Sequence, residues 1–392
     1  MTVAIYLPNE PLGKQGGMER VTHHLAEMLR DAGYNTLLLC RVKNRLGEEY
    51  QPPVPLEFIP GGLTKTEEQT WFIDYLKRNK VEVLIDQTEG GIIGRWGIFL
   101  HRRQLPVKNL KLIAVQHNSQ LTFLRYYKLI QSRKFSFCWV TWLYNECFLR
   151  IKKWRAYLLQ KSLFKDLSIN YDNIVTLSHG GIDEFVQLCP TVDRDKLVCI
   201  PNAIRMIEPP DLSIKEKRCL YVGRLDNKAK GVDRLLRIWK QVEQNNEDWQ
   251  LDIVGDGPDG KWLHEYATEL NLSRVRFHGF QDPIDYYKRA SIFCMTSTFE
   301  GFGMVLVEAM QHGCVPIAFD SFPAVRDIIN HEITGFLVPS FNENKYSELL
   351  TIQIADKASL GEMLRPVLQS INKFCSKSIV NKWVLIFSKF FS

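Results

Sequence analysis

Short apolar runs alternate with amphipathic stretches along most of this chain, and the alternation occurs twice. In the first half, apolar runs stand at 3–7, 35–40, 82–86, 110–115, 173–177 and 197–200. Between them lie stretches such as 18–32, where Val21, Leu25, Met28 and Leu29 recur at helical spacing. Runs of this kind, separated by helices, read as parallel strands buried on both faces. The pattern lapses at 201–217, "PNAIRMIEPPDLSIKEK", which is polar, contains proline and has no period. It then resumes with strands at 218–222, 250–254, 274–278, 291–296 and 314–318 and helices at 231–245, 259–271, 283–290 and 303–313. The expected fold class is therefore α/β, with two Rossmann-like doubly wound domains facing across a cleft, the first spanning 1–205 and the second 206–370. In such sheets ligands bind beyond the carboxyl ends of the strands, which confines the search for function to the loops there.

The chain has 392 residues, enough for two domains that each bury a core. Its apolar share of 45% and charged share of 24% exclude a disordered or low-complexity protein. The first apolar run is too short for a signal peptide, and the longest, "FSFCWVTWLY" at 135–144, is about half a membrane span. Nine scattered cysteines without a C-x-x-C pair read as reduced thiols and a cytoplasmic location. The net charge of +6 is concentrated in one segment: 119–170 holds ten Lys/Arg against Glu146 and Asp166. No nucleic-acid partner is expected.

Five loops carry candidate chemistry. After the first strand, Gly16 and Gly17 stand at the start of a helix, whose free N–H groups suit an anion. The glycines do not follow G-x-G-x-x-G, so a plain dinucleotide site is disfavoured. After strand 218–222, Gly223 is followed by Arg224, and Lys230 precedes the next helix. Two cations beside such N–H groups suit a diphosphate. Asp256 and Gly257 make a tight turn after the next strand, and Phe280 follows the one after that. In "STFEGFGMVLVEAM", residues 297–310, Gly301 and Gly303 allow close backbone approach to a ligand. The N–H groups of Phe302, Gly303 and Met304 are the unpaired donors of the helix starting there. Glu308 lies about one turn further in, flanked by core residues, where an acceptor-only carboxylate could hold ribose hydroxyls. Glu300 could hold the hydroxyls of a second group.

Taken in series, "GGMER" at 16–20, "IPNAI" at 200–204, "YVGRL…KG" at 221–231, "GDGP" at 255–258 and the E-x7-E span 300–308 resemble the retaining GT-B glycosyltransferases of the glycosyl transferases group 1 family. The resemblance implies a nucleotide-sugar donor, UDP- or GDP-linked, bound mainly by the second domain. It implies Glu308 on the ribose, Arg224 and Lys230 on the diphosphate, and Glu300 on the hydroxyls of the donor sugar. Phe302, Gly303 and Met304 would supply backbone contacts, and Gly16 and Gly17 would approach from the first domain. "VQHNS" at 115–119 matches the family's loop histidine, making His117 a candidate near sugar and acceptor. The terminal stretch 371–392 resembles the helix that crosses back to the first domain. No D-x-D stands at a strand end, and with cations already supplied neither a metal nor a cofactor is expected.

The implied reaction is front-face substitution with retention of configuration, onto a glycan or lipid-linked acceptor, in polysaccharide or glycoconjugate synthesis. A GT-B-like epimerase and an inactive sugar-binding relative are the alternatives. The basic, aromatic segment 119–170 departs from the family pattern. It reads either as helices closing the acceptor side or as a surface for anionic lipid at the inner face of the cytoplasmic membrane.

Overall fold

The computed structural model of the chain describes all residues other than 12–16, 44–49, 95–96, 127–138, 245 and 392, and all side chains among them other than those of 120, 123, 125, 139–149 and 357. Two parallel sheets form. The first contains β1 (Thr2–Asn9), β2 (Asn35–Val42), β3 (Leu56–Phe58), β4 (Val83–Asp86), β5 (Lys111–Gln116), β6 (Asn173–Thr176) and β7 (Leu197–Cys199), in the order β3-β2-β1-β4-β5-β6-β7. The second contains β8 (Glu216–Val222), β9 (Gln250–Val254), β10 (Val275–Phe277), β11 (Ala290–Met295), β12 (Val315–Phe319) and β13 (Phe336–Val338), in the order β10-β9-β8-β11-β12-β13. This is the two-Rossmann α/β architecture expected of a GT-B chain.

The helices are α1 (Gly17–Asp31), α2 (Lys65–Arg78), α3 (Gln120–Arg125), α4 (Trp139–Asn170), α5 (His179–Leu188), α6 (Asn227–Lys230), α7 (Val232–Glu243), α8 (Gly260–Glu269), α9 (Ile284–Arg289), α10 (Met304–Gln311), α11 (Val325–Ile328), α12 (Glu343–Ala355), α13 (Lys357–Ser370) and α14 (Ser376–Phe391). Central strands such as β4 and β12 are buried at every position, as expected where helices cover both faces. The three-residue strands β3 and β13 were not foreseen. Both are edge strands at which the sequence reading marked no apolar run.

In each sheet one strand pair marks where the winding direction reverses. β1 pairs with both β2 and β4, and β8 pairs with both β9 and β11. The crevice outside the carboxyl ends of such pairs is where doubly wound sheets bind ligands.

The chain divides into two compact units. One comprises Met1–Gln120, Arg150–Ala203 and Ser376–Ser392, and the other Leu121–Leu149 and Ile204–Cys375. The segment 119–170, read from the sequence as one insertion of the first domain, is thus split between them. A physical reason is visible at Tyr126. Its hydroxyl donates to Ser340 Oγ (3.1 Å), and its ring meets Phe341 edge-on (4.6 Å), which ties it to the second unit. The helix α14 belongs to the first unit, where Ile379, Trp383, Ile386 and Phe387 are buried and His24 Nε2 lies 3.0 Å from Ser376 Oγ.

Candidate functional site

The carboxyl edge of the second sheet is built from loops that touch through their backbones. Gly223 N donates to Val254 O (3.0 Å), Leu225 N to Asp256 O (2.9 Å) and Gly255 N to Gly279 O (2.8 Å). A Cβ on Gly255 would collide with the Gly223 carbonyl, and Gly255 has φ +137°, so glycine is required twice over. A Cβ on Gly257 would lie 2.7 Å from Leu225 N and O. Asp256 is exposed and turned onto its own loop, its Oδ1 accepting from Gly257 N (2.7 Å). Arg224 is exposed at the end of β8, and the buried Tyr221 hydroxyl donates to its carbonyl (3.2 Å). Burial, reinforced by the Glu300 and Asp226 carboxylates, pushes the Tyr221 phenol far above its ordinary range, so it remains a donor. Phe280 stands out into solvent, 72% exposed.

The turn from β11 into α10 carries the two glutamates. Glu300 Oε1 accepts from Lys230 Nζ (2.6 Å) and from Ser297 Oγ (2.8 Å), with the Lys230 and Glu300 side chains 25% and 12% exposed. Two residues assigned to different parts of a donor thus form one half-buried ion pair. The sequence could not show this, because 70 positions separate them. Gly303 takes the left-handed conformation (φ 89°, ψ 51°) at the start of α10, with no side-chain cap on the helix. The first-turn N–H groups therefore lack the capping oxygen that Ser or Asp would supply. Met304 opens the helix half-buried. The Phe302 side chain turns inward, 3% exposed, with its ring against Phe374 (5.5 Å), so anything it offers outward is backbone.

Glu308 is half-buried and anchored from below. The Tyr287 hydroxyl donates to its Oε2 (3.3 Å), and His312 Nδ1 donates to its carbonyl (2.8 Å) while the His312 ring stacks on Tyr287 (5.4 Å). A carbonyl can only accept, so the proton of neutral His312 sits on Nδ1. Burial lowers the His312 pKa, which keeps the ring neutral.

A brace missed in the sequence supports the Glu300 loop. Arg234 NH1 donates to Thr296 O (3.2 Å) and Thr298 Oγ1 (3.0 Å), and the guanidinium lies over the Phe341 ring (4.6 Å). Neither Arg234 nor Phe341 belongs to a strand-end motif, so no sequence signal pointed to them.

The carboxyl edge of the first sheet is built differently. Gly16 lies outside the described residues, and Gly17 is exposed at the first residue of α1. Asp86, the last residue of β4, is completely buried. It accepts from Thr88 N (2.9 Å), Thr88 Oγ1 (2.5 Å), Ile92 N (3.2 Å) and Tyr171 OH (2.5 Å). Burial nevertheless raises its pKa above the usual carboxylate range. Glu89, left-handed at φ +56°, accepts from His117 N (2.9 Å), Asn118 N (2.8 Å) and Asn118 Nδ2 (3.0 Å). His117 is buried, its Nε2 2.5 Å from Gln87 Oε1, and desolvation lowers its pKa to about 4. At neutral pH this imidazole is uncharged and a weak base, suited to hydrogen bonding. The signal for this network was "IDQTEGG" at the end of a buried strand, with acids at 86 and 89. A cavity of about 20 Å³ lies beside it, lined among others by Gln87, His117, Asn202 and Trp383.

The residue patterns and the fold converge on known proteins. Residues 205–365 match the family described as Glycosyl transferases group 1, and residues 15–206 match the one described as Glycosyltransferase Family 4. The second half of the chain thus resembles the group 1 family and the first half Family 4, the two matches together running from 15 to 365. An uncharacterized glycosyltransferase of Haemophilus influenzae is 29% identical over 218 residues, which is 52% of this chain and 60% of the relative. The lipopolysaccharide 1,6-galactosyltransferase of Salmonella typhimurium is 35% identical over 177 residues, 43% of this chain and 49% of the relative. The chain thus spans about half the length of the curated relatives it matches. Among solved structures, the apo outer core galactosyltransferase WaaB aligns with a TM-score of 0.70 at 20% identity, covering 99% of this chain and 100% of that one. Anabaena HepE in complex with UDP and glucose aligns at 0.72 and 18% identity, with the same coverage. These likenesses show the GT-B fold of the chain.

Proposed function

We propose that this glycosyltransferase moves a hexose from a UDP- or GDP-linked donor to a hydroxyl of a glycan or lipid-linked acceptor, with retention of anomeric configuration. The observation that carries the reading is the β11–α10 turn. Glu300 is paired with Lys230, and Glu308 is held by buried Tyr287, both at the carboxyl edge of the second sheet. Glu308 serves as the ribose ligand and Glu300 as the acceptor of sugar hydroxyl hydrogen bonds. Arg224 and Lys230 face the diphosphate. A phosphate oxygen competes with the Glu300 carboxylate for the Lys230 ammonium, so donor binding exchanges one charged partner for another. Relatives named for lipopolysaccharide galactosyl transfer, and HepE with UDP-glucose, favour a uridine nucleotide and a cell-surface glycan.

In the reaction, the bond between the anomeric carbon and the leaving phosphate oxygen breaks. The acceptor oxygen bonds to that carbon on the same face, and its proton passes to the departing phosphate. Arg224, Lys230 and the uncapped N–H groups of α10 stabilise the charge that develops there. Both glutamates are engaged with hydroxyls, so neither acts as nucleophile. Charge neutralisation by side chains makes the reaction independent of added metal. The enzyme works at the inner face of the cytoplasmic membrane.

The test incubates the protein with a panel of UDP- and GDP-sugars and a bacterial lipid extract. Acceptor-dependent release of one nucleoside diphosphate, with the donor's anomeric configuration kept in the product by NMR and turnover undiminished by chelator, is expected. An inverted product contradicts the mechanism, and absence of release with every donor contradicts the activity.

A further inference from the structure

The described side chains of α4, residues 150–170, sort onto two faces. Phe164, Leu167 and Asn170 are buried, and the Phe164 ring packs on Phe185 (4.5 Å). On the opposite side Ile151, Trp154, Leu158 and Ile169 recur at helical spacing and are 55%, 61%, 42% and 62% exposed. Exposed Lys161 and Lys165 complete the same stripe at intermediate turns. It runs from 151 to 169, roughly 27 Å at the rise of an α-helix. A helix on a globular unit ordinarily turns such residues toward the core. Here the core side is already filled, and a second apolar row faces out.

The surroundings of that row are basic. Arg150, Lys152, Lys153 and Arg155 are exposed beside it, and Asp166 is the single acid between 150 and 170. Among the described residues no helix is long and apolar enough to cross a membrane. A helix with bulky apolar groups on one face and cations around them is suited instead to lie in a lipid headgroup layer. Trp154 matches the polarity gradient there. The lysine and arginine stems cover apolar surface while their heads reach phosphates.

We propose that the outward face of α4 docks on an anionic lipid bilayer, with Ile151, Trp154, Leu158 and Ile169 in the headgroup layer and the surrounding cations on lipid phosphates. This deepens the membrane placement in the proposed function but does not depend on sugar transfer. A second copy of the chain is the poorer occupant. Two-fold pairing of this face brings one set of lysines and arginines up to another, like charge against like. A nucleic acid would satisfy the cations and leave the apolar row unmatched.

The experiment is vesicle flotation of the full chain, with phosphatidylcholine alone and with phosphatidylcholine mixed with phosphatidylglycerol. Two double variants are compared with wild type, Lys161→Glu/Lys165→Glu and Ile151→Asp/Leu158→Asp. All four positions are exposed, and circular dichroism with nucleotide binding checks that the variants fold. Wild type is expected to float with the anionic vesicles and not with the neutral ones. The charge-reversed variant should bind about tenfold more weakly or worse, given the attraction of each cation to an anionic surface. The aspartate variant should also weaken. Failure to float with either vesicle, or flotation unchanged in both variants, overturns the proposal. So does a wild-type dimer that Ile151→Asp/Leu158→Asp dissolves, or tighter retention on duplex DNA than on anionic vesicles. Flotation without any donor turnover would instead count against the enzymatic reading alone.

Discussion

The carboxyl edge of the second sheet is assembled from backbone, and that of the first sheet from buried side chains. In the second unit, glycines let the 223–225, 255–257 and 279 loops hydrogen-bond directly, with Arg224 at the surface and Lys230 half-buried against Glu300. In the first unit, Asp86, Glu89, Gln87 and His117 fix the loops by side-chain bonds, with Asp86, Gln87 and His117 buried. A backbone-built edge holds its loops in place, and the uncapped N–H groups at the start of α10 beside it suit a phosphate. An edge fixed by a buried side-chain network keeps its shape only while every member keeps its partner.

The largest effect should come from the second edge. Lys230→Ala should lower turnover at saturating donor by about a thousandfold, the scale for losing one preorganised charge stabiliser. Steady-state kinetics would measure it. Turnover within a few-fold of wild type would remove Lys230 from the chemistry and leave it a structural partner of Glu300.

Next comes the backbone itself. Gly255→Ala should destabilise the protein by about 3 kcal/mol, because the added methyl meets the Gly223 carbonyl in a loop that cannot retreat from β8. Urea unfolding reads this directly. An unperturbed midpoint would mean that the loops are not held backbone to backbone.

The first edge is tested by pH. Burial lowers the His117 pKa to about 4, against an ordinary value of about 6.5. The unfolded chain therefore binds the proton more readily. Stability is fully present above pH 6.5 and is lost as pH falls through the window from 6.5 to 4, by about 3 kcal/mol across it. His117→Asn should flatten that part of the pH dependence of the unfolding midpoint. An unchanged slope would show that the histidine is not held neutral by burial.

The same contrast explains what could be read from the sequence. Glycines at strand ends and cations beside them are local patterns, so the strand-end places of Gly223, Arg224 and Gly257 were legible, as were both sheets apart from β3 and β13. The Lys230–Glu300 pair, the Arg234–Phe341 brace and the Asp86–Tyr171 bond join residues 70, 107 and 85 positions apart. Nothing in local spacing encodes such partners. Phe302 was read only as a backbone donor, and the direction of its ring, which belongs to the core, was not legible, since apolar pattern alone does not say which way a loop side chain turns. Tyr126 was grouped with the first half by sequence order, whereas its contacts with Ser340 and Phe341 put it with the second.

The most direct test of the account is nucleoside-diphosphate affinity by calorimetry, for wild type and Glu308→Ala, with UDP and GDP as ligands. One of the two should bind wild type, and the variant, still folded, should lose about 1–3 kcal/mol of that binding, the scale for removing a charged hydrogen-bonding partner. Equal affinity in the folded variant would contradict the assignment of Glu308 to the ribose and, with it, the reading of the second edge as the nucleotide site.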